Sequence, residues 1–446
     1  MKDLSNEFQG TSTILEVDES DTQQKYQSFP IIPGSDFDAL VMDAGLRQSL
    51  VTVRTLGSRG MRVAALEIDT NAVPSSKVAT FASRWCKQQF IAPSYEQSTQ
   101  PYLAYLNEVL DQTGARVLIT SSDGTLAVIR QHREQLERRV KIALAKEPSL
   151  AIAVNKVQTL EIAAKLGIGI PRGVIVSSIN DVPGALREVG LPAVVKPNES
   201  WLWGEEQGAR LICQLVTTLE EAKRAVEELT SMGGTTLFQQ FLSGRREAVN
   251  FIYAHGEMYA RFAQWAKRTQ PPLGGTSVLR QSIAVPEDIG DHAERLVREI
   301  ELEGYSEVEF RRDSEGKPYL MEINPRLSAS IEVAVRAGVD FPYLLYQWAS
   351  GDKIDYVKSY RVGGWMRYLE GDVITTIQSF TQRNRPGVTP PAQAIFEFLG
   401  SFFKPMGYDY LDWHDPLPAF MATTDFGNYI LQKFKNLFLR DKSHFK

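Results

Sequence analysis

The chain is poor in the residues that build disulfides and zinc sites. Its 446 residues include two cysteines, Cys86 and Cys213, and five histidines, none in an HExxH or other paired spacing. A disulfide framework and a Cys-based zinc centre are therefore excluded, and a metal would have to be held by carboxylates, which favours Mg²⁺ or Mn²⁺. There is no excess of positive charge either. Lys plus Arg number 49 against 54 Asp plus Glu, a net charge of -5, which argues against nucleic acid as a partner. No run of about 18 apolar residues is present to span a bilayer. The first residues lack the basic-then-apolar pattern of a secretion signal, so the expected location is cytoplasmic. A GxxxxGK[ST] phosphate loop is also missing, and no internal repeat is visible. What is present is ordinary for a globular protein: 43% apolar and 23% charged residues, in a length that suggests about three domains.

Residues 1–35 are rich in Ser, Thr, Gln, Asp and Glu, a composition that reads as a loose tail. From 36 to about 145, short apolar runs (38–43, 61–68, 117–121) alternate with helical stretches. That alternation predicts an open parallel sheet of Rossmann type. Its first strand–helix turn reads Asp43-Ala-Gly-Leu-Arg-Gln48, not GxGxxG, so dinucleotide binding is disfavoured. From about 146 to 354 the pattern becomes α+β. Asn155 followed by Gln158 signals a helix start, and strands are expected near 173–176, 193–196, 237–242, 248–253 and 258–262. Beyond 355 aromatics crowd together in a C-terminal extension.

The strongest chemical signal is Glu307-Val-Glu309-Phe-Arg, a turn over 313–316, then Tyr319-Leu-Met-Glu322-Ile-Asn324-Pro-Arg326. The spacing predicts a β-hairpin. Residues two apart share a strand face, so Glu309, Glu322 and Asn324 fall together, with Arg326 just past the strand end. Two adjacent carboxylates repel and favour a divalent cation. By spacing alone the face could equally be a solvated edge. Lys156, in the first turn of a helix where a cation is disfavoured, and Lys196, at a strand end before Pro197, could each be surface lysines or phosphate ligands.

In order along the chain, Asn155-Lys156, Leu191-Pro-Ala-Val-Val-Lys196-Pro197, Leu237-Phe-Gln-Gln-Phe-Leu-Ser-Gly244, Glu247, Val308-Glu-Phe310 and Leu320-Met-Glu-Ile-Asn-Pro-Arg326 resemble the ATP-grasp superfamily of carboxylate–amine ligases. The match looks closest to its predicted carboligase group and covers roughly residues 36–350. The resemblance implies an α/β plus α+β fold: a Rossmann-like pre-ATP-grasp domain (36–145) and a two-subdomain ATP-grasp domain (146–354). The aromatic-rich extension (355–446) lies beyond the resemblance and is expected to pack on the body, since that much apolar surface seeks burial. It implies ATP and Mg²⁺ as cofactors, Mn²⁺ being an alternative. Lys156 and Lys196 would hold ATP phosphates. Gln239, Gln240 and Leu242 match the adenine-facing linker, and Glu247 the ribose-binding acid. Glu309, Glu322 and Asn324 match the Mg²⁺ ligands, and Arg326 the arginine at the transferred phosphate.

The stretch after Lys196 departs from the family. In place of a glycine-rich lid it reads Asn198-Glu-Ser-Trp201-Leu-Trp203-Gly204-Glu-Glu-Gln-Gly208, so the tryptophans either stiffen the loop or cover substrate. A second loop, Gln270 to Arg280, carries Gly274-Gly275-Thr276-Ser277 as anion donors, and Arg280 is expected to clamp a substrate carboxylate. The function this implies joins a small-molecule carboxylate to an amine through an acyl phosphate, with release of ADP. The alternatives are a carboxyphosphate or carbamoyl-phosphate-type enzyme and a catalytically inactive nucleotide-binding protein. A homodimer is compatible with all three. The final apolar-and-basic stretch has two readings, a helix packed on the body, which is favoured, or one lying on a membrane.

Overall fold

The computed structural model describes residues 36–69, 78–204 and 207–443; the tail expected over 1–35 lies outside them. Five parallel strands, β1 (Ala39–Val41), β2 (Val63–Ile68), β3 (Cys86–Ala92), β4 (Val117–Ile119) and β5 (Lys141–Ile142), form the first sheet in the order β3-β2-β1-β4-β5. Ala39, Leu40, Val41, Val117, Leu118 and Ile119 are fully buried, as the short apolar runs require when helices cover both faces. Strand β3 was not in the expected set. Its residues Lys87, Gln88 and Gln89 hide the apolar pattern, while Phe90 and Ala92 are the ones buried.

The order reverses between β1 and β4, which opens a crevice at the carboxyl ends of the strands. Asp43 stands there with φ 57°. Its carboxylate accepts from the Thr120 hydroxyl (2.8 Å), the Ser121 and Ser122 amides (2.8 and 2.9 Å) and the Ser122 hydroxyl (2.8 Å). With the Thr125 hydroxyl as a further donor, five donors on one side chain explain how a left-handed backbone is held at a non-glycine residue. They also fix the turn that starts the helix Asp123–Gln131.

A second sheet follows. Its strands are β6 (Gly173–Val176), β7 (Ala193–Pro197), β10 (Gln214–Val216) and β11 (Thr236–Gln240), ordered β10-β7-β11-β6 and antiparallel throughout. Between β7 and β10 lies a hairpin of β8 (Trp201–Trp203) and β9 (Gly208–Arg210). The helix Lys156–Lys165 precedes this sheet, and the Asn155 side chain accepts from the Gln158 amide at 3.1 Å, the expected N-cap.

The third sheet has seven strands: β12 (Arg246–Ala254), β13 (Glu257–Gln270), β14 (Thr276–Ile283), β15 (Gly304–Arg312), β16 (Pro318–Asn324), β17 (Trp365–Arg367) and β18 (Gly407–Tyr408). Their order is β16-β15-β12-β13-β14-β17-β18. The glycine-rich stretch expected as an open loop over 270–280 is mostly strand. The turn is confined to 271–275, where Gly275 takes φ 67°, and β14 buries Val278 and Leu279 between β13 and β17. Two strands of this sheet come from beyond residue 355, so the aromatic extension contributes to the same framework as the hairpin.

The extension is anchored by buried charge. Asp409, 3% exposed, lies between Arg47 of the first module and Arg280 of β14, with Arg280 Nη2 at 2.6 Å. Asp415, 1% exposed, accepts from Arg54 Nε at 2.9 Å and the Ser83 hydroxyl at 2.7 Å. Of the apolar side expected to pack on the body in the last helix, Leu417–Ser443, the positions Phe434, Leu437 and Phe438 lie outside the described side chains, while Phe426 and Ile430 are half-buried. Leu417, Phe420 and Leu431 are 58%, 66% and 60% exposed, and its main contact is with the short turn Ala79–Ala82.

Removing Asp409 leaves two buried guanidinium groups facing each other. Asp409→Ala is expected to cost about 3–5 kcal/mol of unfolding free energy, read from denaturant melts. A loss below about 0.5 kcal/mol, as for an ordinary surface change, would mean that the triad is not what anchors the extension.

Candidate functional site

Strands β15 and β16 pair so that Glu309 lies directly opposite Glu322 and Glu307 opposite Asn324. The register shifts by one residue just after Glu309, so that Phe310 pairs with Leu320. That irregularity lets the hairpin close over its turn while both glutamates keep one face. Ala248 of β12 is opposite Glu309, so Arg246 and Asn250, two residues either side, flank the same face.

Every charged group on this face is paired. Arg246 holds both Glu309 oxygens, Nε to Oε2 at 2.9 Å and Nη2 to Oε1 at 2.6 Å, and the Asn324 amide donates to Glu309 at 3.2 Å. Lys156 Nζ, 4% exposed, lies 3.3 Å from Glu322 Oε2 and 3.3 Å from the Ser200 hydroxyl. Arg326 Nε meets Asp123 Oδ1 at 2.5 Å. Glu307 accepts from Asn250 (3.1 Å), Gln264 (3.0 Å) and Ser330 (3.3 Å). Burial raises the Glu309 carboxyl, and the neighbouring Glu322 and Glu307 add to this against Arg246, so that it is pushed up to about 7. For Glu322 burial acts in the same direction, but Lys156, Lys196 and Arg246 outweigh it and hold the carboxyl below its ordinary value. Burial, more than any missing cation, is what raises Glu309.

Lys196 is 8% exposed and has Met321 Sδ at 3.8 Å as its hydrogen-bonding contact. Burial lowers its pKa. A nearly buried ammonium ion facing a thioether is a strong attractor for an anion.

The tryptophan hairpin closes one side of the cleft. Trp201 is 8% exposed and packs edge-on against Tyr95 at 5.4 Å and Trp203 at 5.5 Å between ring centroids. Glycines permit this approach: a Cβ on Gly124 would fall 2.8 Å from the Trp201 ring, and one on Gly208 2.5 Å from the Trp203 ring. The Gly208 amide also donates to the Glu96 carbonyl at 2.7 Å, tying the hairpin to the first module. Asp123, Lys156, Ser200, Trp201, Glu322 and Asn324 all line one narrow cleft.

Glu309, Glu322, Asn324, Lys156, Lys196 and Arg326 therefore converge from four elements. Gln239 and Leu242, 1% and 4% exposed, lie at and just beyond the end of β11, and the Gln239 side-chain nitrogen is buried without a hydrogen-bond partner. Gln240 contacts Arg172 through its side-chain oxygen at 3.3 Å.

One expectation needs correction. Arg280 is not open to a substrate: it is 0% exposed, its guanidinium is taken by Asp409, and its Nε donates to the Ser330 carbonyl at 3.2 Å. Glu247, expected as the ribose-binding acid, stands on the opposite side of β12 from Arg246 and Glu309. It follows Arg246 on β12, so alternation turns it to the other side, where it meets Arg312 at 2.7 Å and Arg245 at 3.0 Å. Conversely, Arg246, Asp123 and Glu307 belong to the cluster and were not singled out. The signal for Asp123 was a Ser-Asp-Gly-Thr turn directly after a buried parallel strand. For Arg246 it was the alternation Arg246-x-Ala248-x-Asn250.

The donor set suits a hard cation. Among the described residues no group of three or more His, Cys, Asp or Glu is arranged to hold a metal ion. The face offers two carboxylates and an amide oxygen, which leaves the remaining positions of a Mg²⁺ shell to phosphate oxygens and water. The two directly opposed carboxylates on one face are the feature that favours the cation.

A family model described as ATP-grasp in the biosynthetic pathway with Ter operon matches residues 234–371. D-alanine–D-alanine ligase B of Pseudomonas putida is 24% identical over 213 residues, 44% of this chain and 63% of that protein. The carbamoyl phosphate synthase large chain of Caldanaerobacter subterraneus is 24% identical over 251 residues, 54% of this chain and 22% of that protein. The chain thus spans less than two thirds of the length of either relative. A biotin carboxylase of Campylobacter jejuni, solved as a complex with β,γ-ATP, shares the fold with a TM-score of 0.58 at 14% identity over 74% of each chain. Residues 234–371 match an ATP-grasp family, and with the motif order and the sheet arrangement the chain carries the ATP-grasp fold.

Proposed function

We propose that the chain is a Mg-ATP-dependent ligase that joins a small-molecule carboxylate to an amine, with residues 36–145 as the pre-ATP-grasp domain and 146–354 as the ATP-grasp domain. The observation that carries this reading is the directly opposed pair Glu309–Glu322, bracketed by Lys156, Lys196 and Arg326. The substrate carboxylate attacks the γ-phosphorus of ATP, the bond to the β–γ bridging oxygen breaks, and ADP leaves. An amine nitrogen then attacks the acyl phosphate carbon, the C–O bond breaks, inorganic phosphate departs and the nitrogen loses a proton. Such chemistry depends on positioning and charge neutralisation more than on covalent participation by the protein.

Lys156 and Lys196 would exchange their present partners, Glu322 and Met321, for phosphate oxygens. Arg326, 2.5 Å from Asp123, would face the transferred phosphate. Gln239, Gln240 and Leu242 would lie along the adenine. Mg²⁺ held by Glu309, Glu322 and Asn324 would supply charge neutralisation of the phosphate oxygens. The Trp201–Trp203 hairpin, with Trp201 buried, would keep water from the acyl phosphate. The test of the whole reading is ADP release in a matrix of amino acids against candidate carboxylates. ADP release that depends on bicarbonate alone would replace it with a carboxyphosphate-type reaction.

Glu322→Gln should keep the fold, because the amide is isosteric, and should abolish ligation. Turnover at the wild-type rate under limiting Mg²⁺ would remove Glu322 from the metal site. Lys196→Ala should weaken ATP binding by about 1.5–3 kcal/mol, the worth of one charge-assisted hydrogen bond. An unchanged calorimetric dissociation constant would show that Lys196 does not touch the phosphates.

A further inference from the structure

Arg246 has no part in the chemistry described above, yet it holds one of the two carboxylates of the metal face. It stands on β12, and Glu309 lies diagonally across from it on β15. The Arg246 side chain is 22% exposed and that of Glu309 7%. The guanidinium uses both carboxylate oxygens, Nε to Oε2 at 2.9 Å and Nη2 to Oε1 at 2.6 Å. Oε1 also accepts from the Asn324 amide at 3.2 Å. Arginine and amide thus cover the lone pairs through which Glu309 would bind a divalent ion. A bidentate contact of this kind is strong and geometrically demanding. A metal on Glu309 must therefore replace the guanidinium and cannot simply join it, because two cations would then share one carboxylate.

What a displaced guanidinium can turn to decides when that exchange is possible. Its Nη1 already donates to the Gly275 carbonyl, in the turn before β14. Directly opposite Arg246 on β15 stands Arg311, another cation, whose own Nη1 donates to the Leu273 carbonyl at 2.8 Å. Glu322 has Lys156 at 3.3 Å and is itself a ligand in the metal reading. Glu307 accepts from Asn250, Gln264 and Ser330. Among the described residues this face offers no free carboxylate to receive the fork. The charge balance points the same way. Arg246 and Lys156 offset Glu309 and Glu322, so a divalent ion arriving alone would leave uncompensated positive charge in a largely buried place. A triphosphate arriving with the ion removes both obstacles. Its oxygens match the guanidinium fork, and its negative charge offsets the metal.

We propose that Arg246 makes metal binding conditional on the nucleotide. It closes Glu309 to a divalent ion alone, and it passes to a phosphate oxygen when ion and nucleotide arrive together. Arg246 is then a nucleotide-binding residue as well as the guard of the metal site. The inference rests on the reading of this face as a Mg-ATP site. By linkage, metal and nucleotide strengthen each other's binding by the same factor, and the exchange at Arg246 is a source of that factor.

The experiment is calorimetric titration of the full chain with Mn²⁺ alone, and separately with the Mn²⁺ complex of a β,γ-imido analogue of ATP. Arg246→Met has similar length and no charge. It should bind Mn²⁺ alone at least about tenfold more tightly than wild type, within the usual range of coupling between sites, and bind the complex more weakly. The opposite signs are the signature, since loss of a merely structural support would weaken both. Arg246→Lys keeps the charge without the fork, so its affinity for Mn²⁺ alone should fall between the two. It also carries the test if the methionine variant does not fold. Binding of Mn²⁺ alone that neither variant strengthens would overturn the proposal, as would wild-type protein that binds Mn²⁺ alone as tightly as the complex. Wild-type protein that does not bind the complex at all would overturn the Mg-ATP reading, and this inference with it. Tight binding of the complex with no gain for Mn²⁺ in the variants would remove the role of Arg246 and leave that reading standing.

Discussion

Two glutamates facing each other across a strand pair impose the main constraint on this molecule. Glu309 and Glu322 cannot both remain charged in a buried setting without cations close by. The chain meets that need from separate elements: Arg246 from β12, Lys156 from the helix that follows Asn155, and the Asn324 amide from the next position on the same face. Even so, Glu309 is left with a pKa pushed up to about 7. Burial of that carboxylate outweighs its pairing with Arg246.

Meeting this constraint requires the modules to be in register with one another. Lys196 arrives at the end of β7, in a four-stranded sheet, and Lys156 from a helix whose first amide donates to the Asn198 carbonyl at 2.9 Å. Arg326 leaves the hairpin and finds Asp123 at the start of a helix in the parallel-sheet module. The crevice at the carboxyl ends of β1 and β4 and the polar face of the seven-stranded sheet are thereby brought against each other. Tyr95, Trp201 and Trp203 form a stack of edge contacts along that junction. Rigid elements carry each group, which is what precise placement of transferring phosphate demands.

The C-terminal extension combines two opposite physical characters. Its inner side supplies buried carboxylates, each satisfied by guanidinium groups: Asp409 by Arg47 and Arg280, Asp415 by Arg54, and Asp372 by Arg268 and Arg367. Such pairs give little net stability over apolar packing but are costly to break, so they favour one docking position over others. Its outer side leaves large aromatic surface uncovered. Arg280 links the two sides of this design to the reaction face, since it bonds Asp409 and, through the Ser330 carbonyl, the loop that follows Arg326.

Local patterns were readable directly. Period-two alternation placed Glu309, Glu322 and Asn324 on one face, Asn155 announced its helix, and short apolar runs marked β1, β2 and β4. Where polar residues interrupted the run, as in Lys87 to Gln89 of β3, the strand was not legible, because burial by neighbouring strands overrides composition. The glycines at 274–275 suggested an open loop, yet only tertiary pairing with β13 and β17 shows that the following residues are a buried strand and that Arg280 is enclosed. Likewise, alternation says that Arg246 and Glu247 face opposite sides, but the register with β15 decides which of them meets Glu309. The sequence by itself determined which residue types and face patterns were available, since these follow from backbone periodicity. The tertiary structure decided which charges meet, because ion pairs such as Arg326–Asp123 and Arg280–Asp409 join residues more than a hundred positions apart, and no local rule specifies contacts at that separation.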